Sequence, residues 1–137
     1  MSSNDEKRIM KAFEATEIPE VSEENLLKYR RYLLARLDKK IILVGREDFP
    51  WEEIYVLGGG DREEHEELKH TNLSYTDECE LVDILAEETE ENDLIASVRR
   101  VSDDKHFDIG LSWLTTKNRK SKNYQLLNDF ATWAVNW

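Results

Sequence analysis

Apolar residues along the chain form two helical stripes with a set of short runs between them. Leu26, Leu27, Leu33, Leu34 and Leu37 recur at helical spacing. Ser22 stands where an N-cap belongs, and Glu23 and Glu24 occupy the electropositive first turn, so the pattern predicts a helix over about 22–38. Leu126, Phe130, Trp133 and Trp137, flanked by Leu127, Ala131 and Ala134, predict another over about 122–136. A weaker stripe of Ile9, Met10 and Phe13 ends at Ile18-Pro19-Glu20, which makes residues 1–20 a short helix or a loosely attached arm ahead of one globular domain, 21–137.

Between the helices, the β-branched run 40–44 ends at Gly45 and reads as a buried strand. Runs 79–86, 94–101 and 106–114 read as strands with one buried face. In the last of these, Phe107, Ile109, Leu111 and Trp113 alternate with His106, Asp108, Gly110 and Ser112. Residues 102–105 join the last two runs at hairpin length. Asp61 caps a short helix reaching about residue 70, with Glu63 and Glu64 in its first turn. The segment 47–53 is too irregular to assign. Strands bracketed by helices without a βαβ rhythm predict an α+β fold, a small curled antiparallel sheet or barrel packed with an N-terminal and a C-terminal helix.

Composition changes this picture mainly through charge. The chain has 137 residues and a net charge of −11. Residues 1–46 hold 8 acids and 10 bases, residues 47–93 hold 18 acids and 2 bases, and residues 94–137 hold 4 acids and 7 bases. The middle segment therefore carries the entire negative excess. Such a segment repels nucleic-acid phosphates and anionic membranes, and attracts cations or a basic protein. No membrane-spanning run or signal peptide is present, and the single Cys79 has no partner for a disulfide, so the expected location is the cytoplasm. Lys28, Arg30, Arg31 and Arg36 read as the solvated face of the first long helix.

Few motifs bear on chemistry. His65 and His70 are five apart, which on a regular helix turns them roughly 140° from each other, so they do not form a zinc pair. Asp103-Asp104-Lys105, with Asp83 or Asp93, has the residue types of a magnesium nuclease centre but falls in a hairpin turn, where Asp is favoured for local bonding. Gly58-Gly59-Gly60 lacks the Lys-Ser/Thr of a phosphate loop. No nucleophile with an adjacent base stands out, so no enzyme is expected. Carboxylate density remains, and calcium, which takes six to eight oxygens in irregular geometry, suits it better than zinc or magnesium, although the EF-hand spacing is absent.

Several segments resemble a known family. The order Lys28-Tyr29-Arg30-Arg31-Tyr32-Leu33, then Val44-Gly45-Arg46-Glu47-Asp48-Phe49-Pro50-Trp51-Glu52, Leu73-Ser74-Tyr75-Thr76-Asp77, Ile109-Gly110-Leu111-Ser112-Trp113-Leu114 and Asn123-Tyr124-Gln125-Leu126-Leu127 with Phe130 and Trp133 is similar to the bacterial calcium-binding family typified by the small cyanobacterial protein CcbP. The resemblance runs from about Asn25 to the C-terminus and implies a compact barrel-like domain that binds calcium through surface carboxylates.

It does not supply individual ligands. Acid clustering singles out Glu47, Asp48, Glu52 and Glu53 around Pro50, and Asp77, Glu78 and Glu80 where the next strand begins. About half of the acidic segment's carboxylates have ordinary duties instead, in the helix first turn near Asp61 or on exposed strand faces. The leading expectation is a calcium buffer or sensor; the alternative is an acidic interaction or immunity-type module that binds a basic partner protein.

Overall fold

The structure, a computed structural model, describes residues 3–90 and 92–137. Within the acidic segment, Glu91 lies outside the described residues, and only the backbone of Glu87, Glu88 and Glu90 is described. Five helices and five strands follow in the order α1 (Ser3–Ala12), α2 (Glu23–Arg36), β1 (Ile42–Gly45), α3 (Glu53–Val56), α4 (Arg62–Leu68), β2 (Cys79–Glu90), β3 (Asp93–Arg100), β4 (His106–Gly110), β5 (Leu114–Thr115) and α5 (Lys122–Asn136). Single 3-10 turns precede α3 (Pro50–Glu52) and β5 (Leu111–Trp113).

The fold is α+β, as the pattern predicts. All strand pairs are antiparallel, in the order β4-β3-β2-β1-β5. The barrel form of the expectation is not what is seen: the sheet is open, with β4 and β5 as its edges. Register shifts between Leu81 and Asp83 and between Ile84 and Thr89 bend β2 instead of closing the sheet.

Both long helices start as the sequence indicates. Ser22 Oγ accepts from Asn25 N at 3.2 Å, and Ser121 Oγ accepts from Tyr124 N at 3.1 Å. The buried face of α2 is Leu26, Tyr29 and Leu33, whereas Leu34 stays 42% exposed. Tyr29 takes the place expected for Leu34 because its ring packs edge-on against Phe13 and Phe130 and lies 5.2 Å from Trp133. Residues 3–12 are helical and packed: Ile9 is fully buried, Arg8 pairs with Asp129 of α5, and Trp133 Nε1 donates to Pro19 O at 2.9 Å. Arg30 departs from the solvated-face reading, since its Nε donates 2.5 Å to Ile84 O on β2.

The third strand run breaks at Gly110. Asp93 is buried there and accepts from Ser112 Oγ at 2.6 Å and from Ser112 N. A Cβ on residue 110 would lie 2.4 Å from Asp93 Oδ2, so only glycine lets the chain bend around that carboxylate. Alternation in the sequence continues through the bend and does not register it.

Candidate functional site

Pro50 sits at the first position of its 3-10 turn, where a fixed φ suits the turn and no N–H is needed. With Phe49 buried on one side, the turn aims Glu52 inward, and Glu52 is 0% exposed. Its carboxylate accepts from Tyr75 N at 2.7 Å, Ser74 Oγ at 2.9 Å and Phe49 N at 3.4 Å, and His65 Nε2 stands 3.2 Å away. A buried carboxylate is tolerated only when so many hydrogen bonds replace water. Glu52 is thus a clasp that ties the turn, the segment before β2 and α4 together.

The clasp carries a lobe made of α3 and α4. The single turn of α3 ends at Gly58, whose φ of +83° reverses the chain without side-chain strain. Asp61 then caps α4 by accepting from Glu63 N. Tyr55 stacks flat on His65 with centroids 4.8 Å apart, Trp51 meets His65 edge-on, and Tyr55 Oη donates to Glu64 Oε1 at 2.9 Å. That bond, with the charge of Glu64 beside it, raises the phenol above its ordinary pKa. Turned outward are Ile54, Val56 and Leu57, the last 76% exposed, among the exposed acids Glu53, Asp61, Glu63, Glu64, Glu66 and Glu67. Arg62 is the one exposed base between residues 53 and 67.

The second acid cluster is held by cations from the flanks. Asp77 accepts from Ser74 N and pairs with Arg100 at 3.1 Å; Glu78 pairs with Lys117 at 2.6 Å and Glu80 with Arg99 at 2.7 Å. Ser74 lies between Glu52 and Asp77, which brings those two together, but each already faces protein donors. The side chains of Glu47, Asp48 and Glu53 make no hydrogen bond or ion pair with the described residues. Among the described residues, no group of three or more His, Cys, Asp or Glu side chains is placed to hold a metal ion.

Asp103, from the nuclease-like triple, has the local turn role foreseen for it. It accepts two bonds from the buried Arg100 guanidinium, at 2.8 and 3.0 Å, which holds its carboxyl down at about 2. Arg100 also donates to the carbonyls of Lys69, His70 and Asn72, fastening the end of α4 to the sheet. Cys79 is buried, and burial pushes its thiol up to about 11, so it stays protonated at neutral pH.

The residues that sequence reasoning missed are the aromatic ones. Trp51, Phe107 and Trp113 line an open cleft of about 400 Å³ beside the lobe, together with Leu73, Asp108 and Ile109. Trp51 and Tyr55 are four apart, a spacing that signals a shared helical face once the 3-10 turn and α3 are read as one element. No family model, curated protein or solved structure matches the chain. No helix among the described residues is long and apolar enough to cross a membrane.

Proposed function

We propose that this protein is a non-catalytic interaction module whose α3–α4 lobe docks on a basic surface of a partner protein. The observation that carries it is the lobe itself: Ile54, Val56 and Leu57 lie exposed amid six exposed acids, on a platform fixed from beneath by Glu52 and the Tyr55–His65 stack. Apolar contact gives such a surface its affinity, and the acids steer a cationic partner and reject anionic ones. Leu57→Asp and the combined change Glu63→Lys, Glu64→Lys, Glu67→Lys alter only exposed side chains. A partner captured by the wild-type chain in the presence of chelator should be lost to both variants while both still unfold in one cooperative transition. Capture that both variants retain would sink the reading.

A calcium site is the second reading, favoured by the family resemblance and by Glu47, Asp48 and Glu53, the three of the seven singled-out acids that no protein donor engages. Because no three acids are grouped to hold an ion among the described residues, a bound cation would draw on Glu47, Asp48 or Glu53 singly, with carbonyl oxygens and water completing its shell, and Glu52 would serve only to hold the turn. Calorimetric titration of chelator-stripped protein decides it: absence of calcium heat at millimolar concentration removes this reading.

A further inference from the structure

The edge strand β4 forms one wall of the aromatic cleft. Phe107 and Ile109 from one face of the strand, and Asp108 and Gly110 from the other, all line it, so the cleft runs along the strand's free edge and not across one face. Trp51, Leu73 and Trp113 line the cleft with it. Apart from the ladder to β3 and the 3-10 turn that opens at Gly110, no further backbone hydrogen bond engages residues 106–110 among the described residues. Asp108 is exposed and has no ion pair among the described residues; Arg100 lies on the other face of the strand, over Phe107 with its guanidinium 4.9 Å from the ring centroid, and is engaged by two carboxylates and three carbonyls.

We infer that this cleft receives an extended basic segment of the partner protein, which adds to the sheet as a strand along β4, sets an apolar side chain between Trp51 and Trp113 and places a Lys or Arg against Asp108. The inference rests on the basic-partner reading of the lobe, which adjoins the cleft through Trp51. Strand addition draws affinity from main-chain bonds and specificity from pockets for alternate side chains, and here an open edge and an aromatic pocket lie side by side. Charge selects the occupant, since the chain carries −11 overall and the cleft's one charged side chain is an uncompensated carboxylate. A charge on an edge strand also guards against edge-to-edge aggregation, and that role alone would leave peptide binding indifferent to Asp108.

The test is titration of the isotopically labelled full chain with the peptide acetyl-Lys-Leu-Arg-Val-Lys-Leu-Arg-amide, against a control with Glu at every basic position. Binding should move the amides of residues 106–110 and the indole signals of Trp51 and Trp113, leave the indole of buried Trp133 still, and be absent with the control. Asp108→Lys should weaken it by at least about tenfold. Shifts confined to α4, with residues 106–110 unmoved, overturn the cleft and leave the lobe reading standing. Equal affinity for wild type and Asp108→Lys overturns it as well, as does silence at millimolar peptide; in that last case the capture experiment with the lobe variants decides the lobe reading separately.

Discussion

Glu52 shows how one side chain can be read correctly for its chemistry and wrongly for its use. Its position in an acid-rich turn marked it as a cation ligand, yet the protein satisfies it from inside with Tyr75 N, Ser74 Oγ, Phe49 N and the His65 ring. Nothing in the local sequence shows this, because Ser74 and Tyr75 are more than twenty positions away. Replacing Glu52 by Ala removes the acceptor of the buried Phe49 N–H and the half-buried Tyr75 N–H, each costing about 1–3 kcal/mol when unpaired, and leaves the Ser74 hydroxyl only Thr76 Oγ1, at 3.1 Å, to donate to. The expected loss is roughly 3–5 kcal/mol of unfolding free energy, measured by urea titration, with the α3–α4 amides exchanging faster. A loss under about 1 kcal/mol would mean that water replaces the carboxylate freely, and the clasp would be no clasp. Glu52→Gln keeps the shape but turns an NH2 group toward donors, so it should recover only part of the stability.

At the level of elements, the parts legible in the sequence are those fixed by neighbours a few residues away. Ser22 and Ser121 cap helices, Asp61 caps α4, and residues 102–105 turn between β3 and β4, each through contacts spanning two or three residues. The illegible parts depend on distant partners: the bend at Gly110 exists because Asp93 is buried beneath it, and Arg30 leaves the solvated face because Ile84 O is within reach. The β3–β4 turn allows a test of sign. Arg100 holds the Asp103 carboxyl at about 2, below the usual value of about 3.9. Its contribution is therefore complete above about pH 4 and is lost as pH falls through about 2. Asp103→Asn should flatten the fall of the urea midpoint between about pH 4 and pH 2 while lowering stability modestly at pH 7, since the group is partly exposed and screened by water. An unchanged acid limb would remove Asp103 from the acid sensitivity of the fold.

Over the whole molecule, the fold redistributes the acids in a way that segment totals conceal. Four described carboxylates on and just before β2 meet cations from the flanks: Asp77 with Arg100, Glu78 with Lys117, Glu80 with Arg99, and Asp83 within 3.8 Å of Arg30. Asp61, Glu63 and Glu64 keep the cap and first-turn duty the sequence assigns them, on a seven-residue helix with one exposed base among its acids. Among the described residues, the uncompensated charge of the acidic segment is therefore mostly on the lobe, where only Glu66 has a Lys or Arg partner, Lys69 at 3.2 Å; pairing across a sheet is not written in local order, so segment totals do not show it. Two opposing salt effects follow. Screening weakens the β2 ion pairs, each worth about 0–1 kcal/mol at an exposed site, and it also relieves repulsion among the lobe acids in a chain of net charge −11. Repulsion should dominate, since it sums over many like charges lying within about 10 Å, the screening length at 0.1 M salt. Sodium chloride is thus expected to raise the melting temperature, by roughly 4 °C for each kcal/mol relieved in a chain of this size. In the variant Glu63→Gln, Glu66→Gln, Glu67→Gln the low-salt melting temperature should start higher and the salt dependence should be shallower. A melting temperature that falls with salt in the wild type would show that the ion pairs along β2, and not the lobe, govern the electrostatics of the fold.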